Sequence, residues 1–401
     1  MPSVIIDPRA DTQAEPEIAR EAIDILGRLV SFDTTSSESN LALIAYVETY
    51  LAEHGVTSRR IANADGSKAN LLATIGDGMA GGIVLSGHTD VVPVKDQPWT
   101  SDPFVLTRRG DRLYGRGTSD MKSFLALALA AVPLLARTPL ARPVHLAFSY
   151  DEEIGCLGAP DLIRNIVDDG YSPMAAIIGE PTGMTIVNSH KSIHLYEVVV
   201  IGREAHSSLV HEGVSANMVA IELLATLVEV AEAEQRDHRD PRFEPQWSTL
   251  TVGTIQGGTA PNILARECRF TFDLRCIPDR EAETVLEPFW RAVERAQARL
   301  AAEGDGTGVV INRLAQVPAL RREQSGAAEQ LSAMLSGANE PGTAVSYGAE
   351  AGQFQAAGLS TVICGPGSIS QAHRPDEFVE LSQIEAGARF IARLVAFVRM
   401  G

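Results

Sequence analysis

Residues 143–153 read PVHLAFSYDEE. The apolar run has the character of a buried strand, and three acids, Asp151, Glu152 and Glu153, follow where that strand should end. Carboxylates side by side at the rim of a core have two readings. One is a solvated turn. The other is chemistry, with one carboxylate holding a metal ion while its neighbour moves a proton. The stretch alone leaves both open.

Similar short apolar runs lie on either side of it: NLLATI, GGIVLSG and AAIIGE. They alternate with helix-like stretches at 121–136 and 159–169, and helical periodicity also runs through 17–54 up to a capping Gly55. Strand and helix in alternation predict an α/β fold, a mixed sheet with helices on both faces. The pattern changes in the middle of the chain. SIHLYEVVVIG (192–202) alternates as a strand, 214–236 is a long amphipathic helix, 247–258 and 265–277 are strands, 279–304 is a second helix and 308–314 a last strand. This β-α-β-β-α-β order is that of a ferredoxin-like unit. The predicted organisation is therefore an α/β/α domain over 1–190 and 315–401, interrupted by an inserted domain over 191–314.

The bulk numbers agree with a folded two-domain chain. It has 401 residues, 45% hydrophobic and 21% charged, too long for one ordinary core and too apolar for disorder. A formal net charge of −17 argues against nucleic acid or an anionic membrane as partner. The longest apolar run, FLALALAAVPLLA from Phe124, is shorter than the about 18 residues that a membrane span needs and contains Pro133. The opening residues MPSVIIDPRADTQAEPE have no basic region followed by an apolar core, so no signal peptide is expected. Cys156, Cys268, Cys276 and Cys364 are scattered without a CxxC pair, which suits free buried thiols in a cytoplasmic protein.

Polar residues recur where apolar strands end. His88, Thr89 and Asp90 follow IVLSG, Glu180 follows AAIIG, His373 comes after TVICGPGSISQA, and Asp120 precedes a helix. In open α/β sheets, ligands bind outside the carboxyl ends of the strands, so these residues should converge on one rim. Two histidines and three carboxylates suit two divalent ions, which can polarise a carbonyl and lower the pKa of a bridging water. A carboxylate not spent on the metal can take that water's proton. Each residue has a plainer reading too: Asp120 as a helix N-cap, Glu180 as a turn acid, His373 as a surface histidine. Their joint placement points to a metal-dependent hydrolase.

The stretches SGHTDVVP from Ser86, GRGTSDMKS from Gly115, SYDEEIGCLGA from Ser149, GEPTGM from Gly179 and GPGSISQAHRPDEF from Gly365 resemble, in order, the metal-site motifs of the dizinc aminoacylase/carboxypeptidase family, the M20 type. The resemblance implies a dimetal hydrolase domain and makes the insertion a lid that also carries a homodimer contact. It implies two divalent ions, zinc first, with cobalt or manganese as alternatives. Asp120 would bridge them, His88 and Glu180 would complete one site, and Glu153 and His373 the other. Glu152 would be the general base, and Asp90 would orient His88. Asp151 is left as a solvated or structural acid.

In the insertion, His206 of GREAHSS would reach into the partner subunit's site to stabilise the oxyanion. Asn262 and Arg275 would hold a substrate carboxylate, although an exposed strand arginine is the plainer reading of Arg275. The motifs GEPT and GPGSISQAHRPDEF are most similar to those of members that deacetylate N-acetyl-L-ornithine. That substrate carries a cationic amine, for which Glu350 in YGAEAGQF is the candidate anion. N-acetylcitrulline, an N-succinyl diamino acid or a dipeptide are the alternatives for the same machinery, and a non-catalytic binding relative is a third reading. Lys191, in SHKSI, reads as a hinge-surface lysine.

Overall fold

The apolar runs become strands whose ends lie together. The computed structural model describes residues 14–338 and 340–400, so the reading of the opening residues falls mostly outside the described part. In chain order the strands are β1 (Ser58–Ala62), β2 (Ala69–Ile75), β3 (Ile83–His88), β4 (Thr107–Arg109), β5 (Arg112–Tyr114), β6 (Val144–Ser149), β7 (Ala175–Pro181), β8 (Val187–His190), β9 (Ile193–Ile201), β10 (Thr249–Gly257), β11 (Glu267–Arg275), β12 (Gly308–Val317), β13 (Thr343–Val345), β14 (Thr361–Gly365) and β15 (Phe378–Glu380). The chain divides into two units. One takes in the described residues up to Ser189 with Leu320–Thr343 and those from Ala349 onward. The other is His190–Ala319 with Ala344–Gly348, a short return absent from the reading of the sequence.

The first unit is built on an eight-stranded sheet in the order β1-β2-β6-β3-β7-β14-β8-β13. Its centre is parallel: β6 with β3, β3 with β7, and β7 with β14. The flanking strands β1, β2 and β8 run antiparallel to their neighbours. The mixed α/β architecture predicted from strand–helix alternation is the one observed. Buried on both sides, the central strands read as continuous apolar runs rather than alternating ones. Alternate residues such as Ile83 and Leu85 join one core with helices Ala14–Val30, Leu41–Glu53, Lys122–Ala130, Ala327–Ser336 and Leu381–Arg399. Helices Ala159–Asp168 and Ala351–Ala356 pack on the other face.

Every residue of Lys122–Ala130 is buried, as its apolar run from Phe124 requires, and Lys122 is buried with its Nζ on the Leu29 and Phe32 carbonyls. Each leucine of the helix contributes about 2 kcal/mol of burial. The apolar run read as one helix breaks at Ala131, and Val132–Ala136 forms a separate helix with Pro133 in its first turn. Two glycines let Lys122–Ala130 press on the sheet. A Cβ at Gly87 would meet Met121 Cε at 2.3 Å, and one at Gly179 would meet the Phe124 ring at 1.9 Å. These glycines immediately precede His88 and Glu180, so the close approach is made where the chemistry lies.

The second unit has a four-stranded antiparallel sheet in the order β10-β11-β9-β12. Cys268, Phe270, Phe272 and Leu274 of β11 point to its core, while the residues between them are less buried. Helices Ala216–Asp237 and Glu287–Ala302 supply the rest of that core. The order of elements is the β-α-β-β-α-β expected. The small sheet β15-β5-β4 in the first unit was not anticipated, because its strands are only three residues long.

Among the described residues, no helix is long and apolar enough to cross a membrane.

Candidate metal centre

Four parallel strands deliver the polar residues to one rim. β3 ends on His88, β6 ends on Ser149 just before the acids, β7 carries Glu180 and β14 leads into the loop that holds His373. The register sets their depth: His88 lies opposite Ser149, and Gly365 opposite Pro181. Asp120 reaches the same place from the loop before Lys122–Ala130. Asp151 at φ 55° and His373 at φ 64° are among the non-glycine residues whose left-handed backbone shapes the loops.

His88 is at the centre. Its Nε2 lies 3.1 Å from Asp120 Oδ1 and 3.7 Å from Glu180 Oε1. On the other side, His373 Nε2 lies 2.9 Å from Glu153 Oε2 and 3.5 Å from Asp120 Oδ2. Asp120 therefore faces both histidines, one through each oxygen. Ligand atoms of His88, Glu152 and Glu180 lie within 4.8 Å of one another, and so do those of His88, Asp120 and Glu153. All are buried or nearly so except His373, whose side chain is 55% exposed. All six belong to the first unit.

The electrostatics are those of a buried carboxylate excess. Burial, then repulsion by Glu153, Asp120 and Asp90 against the pull of His88, raises Glu152 to about 8. Burial and Asp120 raise Glu153 to about 7 and push Glu180 well above the ordinary range. For His88, burial opposes the charge but Asp120 and Asp90 outweigh it, and the imidazole is held well above its usual value. Hydrogen bonds to Asp120 and Glu153 raise His373 to about 10. Against its burial, those two histidines hold Asp120 below the usual carboxylate range. Glu180 Oε1 is buried without a hydrogen-bond partner. A polar atom left so costs about 1–3 kcal/mol unless something else meets it. Acids this close suit divalent cations, which supply the missing positive charge. The residues present thus suit divalent ions: His88, Asp120, Glu152, Glu153 and Glu180 offer ligand atoms close together, and His373 stands beside Glu153 and Asp120.

Asp90 does more than was expected of it. His88 Nδ1 is nearest to the Asp90 backbone carbonyl, at 2.9 Å, and lies 3.6 Å from the carboxylate. The carboxylate accepts the Ser36 hydroxyl at 2.7 Å and the backbone N–H groups of Glu152 and Glu153 at 3.1 and 3.3 Å. Asp151 is buried against Lys68, which also donates to the Ser36 carbonyl. It is a structural acid. Cys156 Sγ lies 3.2 Å from Glu152 Oε1.

Two expectations are corrected. Glu350 is fully buried at the start of helix Ala351–Ala356, and its two oxygens accept the hydroxyls of Ser86 on β3 and Ser149 on β6 at 2.5 and 2.7 Å. Its carboxylate ties two strands together and is closed to a substrate amine. Lys191 is not at the surface. It is buried, and its Nζ donates to the carbonyls of Pro245 and Trp247 at 2.8 and 2.7 Å. Its charge is spent on an internal loop, and burial lowers its pKa to about 8.

His206, Asn262 and Arg275 belong to the second unit. The first two are brought together there, since His206 forms a bridge with Ile263 and the Ser207 N–H donates to the Asn262 carbonyl at 3.0 Å. The Ser208 N–H donates to His206 Nδ1, which puts the proton of the neutral ring on Nε2. Arg275 is partly exposed at the end of β11, with its Nε on Asp273 at 2.8 Å.

A model of peptidase family M20/M25/M40 matches residues 84–396. The chain is 34% identical over 384 residues to an acetylornithine deacetylase of Myxococcus xanthus, covering 92% of this chain and 96% of that one. It is 33% identical to an acetylornithine deacetylase of Pasteurella multocida, covering 91% and 93%. Among solved structures, an M20 family metallo-carboxypeptidase from Sulfolobus solfataricus superposes with a TM-score of 0.73 at 19% identity, covering 94% of this chain and 98% of that one. A dinuclear metal binding peptidase of the same family from Bacillus subtilis superposes at 0.65 and 16% identity, covering 95% and 98%.

Proposed function

Because the chain belongs to peptidase family M20/M25/M40 and is a hydrolase of amide bonds, we propose that it uses two divalent ions to remove the acetyl group from N-acetyl-L-ornithine. One observation carries the metal-dependent part. His88, Asp120, Glu152, Glu153 and Glu180 bury their polar ends in one cluster whose acids exceed the bases available to neutralise them. Zinc is the first choice of ion, with cobalt or manganese as alternatives. Bound there, the ions would supply Lewis acidity to the scissile carbonyl and acidify the attacking water. The substrate is supported by likeness to relatives named for it over nine-tenths of the chain.

Glu152 is the proton carrier. Its carboxylate lies within ligand-atom distance of His88 and Glu180, where a group beside the ions can accept a proton and return it. It takes the proton of the attacking water and returns it to the departing amine nitrogen. His206, with its proton on Nε2, serves as a donor to the developing oxyanion, supplied by the second subunit of a homodimer. Asn262 and Arg275 receive the substrate carboxylate. On this reading the second unit is a lid and dimer contact. The free, buried cysteines suit a reducing cytoplasm.

One observation favours a second reading of the substrate. Glu350, the candidate partner for the ornithine amine, is closed off by Ser86 and Ser149. N-acetylcitrulline, whose side chain is neutral, would not need that charge, while an N-succinyl diamino acid or a dipeptide would place its amine elsewhere. The test is kcat/KM of the metal-loaded protein on N-acetyl-L-ornithine, N-acetyl-L-citrulline, N-succinyl-diaminopimelate and a dipeptide. A preference for ornithine of ~100-fold, about 2.7 kcal/mol, is expected. A flat profile or another winner would give the name to the second reading, and no turnover on any of them with metal bound would overturn the enzyme assignment.

A further inference from the structure

Glu377 stands four residues after His373 and takes no part in the cluster. Its side chain is 1% exposed. Its Oε2 accepts Arg116 Nη1 at 2.7 Å and the Gly117 N–H at 3.0 Å, and its Oε1 accepts the N–H groups of Ser119 and Asp120 at 2.8 and 3.0 Å. Three of these four donors are peptide groups of a single loop, and the last belongs to Asp120 itself. Arg116 extends the network. It donates to the Arg374 carbonyl at 3.2 Å and to Gln97 Oε1 at 2.6 Å, while Gln97 Nε2 donates to the His373 carbonyl at 3.1 Å.

We propose that Glu377 is a positioning residue that locks the loop carrying Asp120 to the loop carrying His373, and so sets the gap between those two ligands before any ion binds. The inference rests on the metal-centre reading above. Its consequence is unequal. His88 stands on β3 in register with Ser149 of β6, and Glu180 stands on β7 next to Pro181, which is in register with Gly365 of β14, so the sheet holds both independently of this network. Asp120 and His373 both stand in loops, and His373 is the exposed member of the cluster with left-handed backbone. Loss of the clamp should therefore damage the half formed by Asp120, Glu153 and His373, two of whose members it holds, more than the half in which Asp120 joins the strand-held His88 and Glu180.

The test is calorimetric titration of the metal-free full chain with Zn2+, with stoichiometry checked by equilibrium dialysis. The wild type should take two equivalents. Glu377→Gln, which keeps the size but puts an amide NH2 among N–H donors, should bind one equivalent within about threefold of wild type and the other at least ~10-fold more weakly, the scale seen when a group behind a metal ligand is removed. Gln97→Ala cuts only the branch to His373. It should weaken the same equivalent by a smaller factor, and it carries the test if Glu377→Gln does not fold. Two equivalents bound as in wild type would overturn the proposal, and so would an equal loss from both that follows a fall in metal-free Tm, since a purely structural role predicts that. A wild type that binds no metal would bring down the metal-centre reading, and the clamp with it.

Discussion

Asp90 Oδ1 accepts the backbone N–H of Glu152 at 3.1 Å. An acid two residues beyond His88 thus fixes the chain that carries Glu152, the proposed proton carrier, and it does so from the same side chain that faces His88. Asp90→Asn keeps the volume but turns one oxygen into a donor that cannot accept these N–H groups. We expect kcat/KM to fall by about 10–100-fold, with the fold retained by circular dichroism. A variant with wild-type turnover would show that Asp90 positions nothing the reaction needs.

Glu152→Gln tests the proposed proton carrier and leaves the cluster's shape. The expected outcome is a drop in kcat of about 10²–10⁴-fold at unchanged metal stoichiometry. Loss of metal along with activity would instead make Glu152 a ligand, an outcome its place within ligand distance of His88 and Glu180 makes worth measuring.

The metal-free protein should lose stability as pH rises. Glu152 and Glu153 have folded pKa values raised to about 8 and 7, so between their ordinary range and those values the folded chain holds protons that the unfolded chain has released. That proton excess makes stability fall with pH. His373, raised to about 10, contributes stability that is fully present below its ordinary value and lost as pH climbs toward 10, in the same direction. Thermal melts of the chelated protein from pH 5 to 9 should show Tm declining, and saturating divalent metal should flatten the decline. A metal-free Tm that rises over this span would contradict the electrostatic account of the cluster.

Glu350→Ala tests the correction made to that residue. It strands the hydroxyl of Ser149 in the core, leaves Ser86 only the Ala147 carbonyl, and opens a cavity, at a cost of about 2–4 kcal/mol in stability. The ratio of kcat/KM for N-acetyl-L-ornithine to that for N-acetyl-L-citrulline should not move. A stable variant that loses ornithine preference would return Glu350 to the substrate.

What the sequence made legible follows from locality. Apolar runs that end in polar residues reveal both the strands and the rim on which their ends meet, so His88, Glu152, Glu153, Glu180 and His373 could be placed without coordinates. The β-α-β-β-α-β order could be read because its strands alternate and its helices are long. Glu377 and Arg116 were quoted only as letters of longer motifs. Their meaning lies in bonds between residues about 260 apart in the chain, and no local pattern carries that. Glu350 and Lys191 were misplaced for a related reason. A charged side chain is expected to meet solvent, as read for Lys191, or a charged ligand, as read for Glu350, and only the structure shows the loop carbonyls and serine hydroxyls that let each be buried. The short strands β4, β5 and β15 have too few residues for a period to show.

The most direct test of the central claim is hydrolysis of N-acetyl-L-ornithine by one preparation measured as purified, after chelation and after re-addition of Zn2+ or Co2+, with bound metal counted at each stage. The account predicts that turnover vanishes with the metal and returns as up to two equivalents per chain are restored. Hydrolysis that persists in protein shown to be metal-free would contradict it.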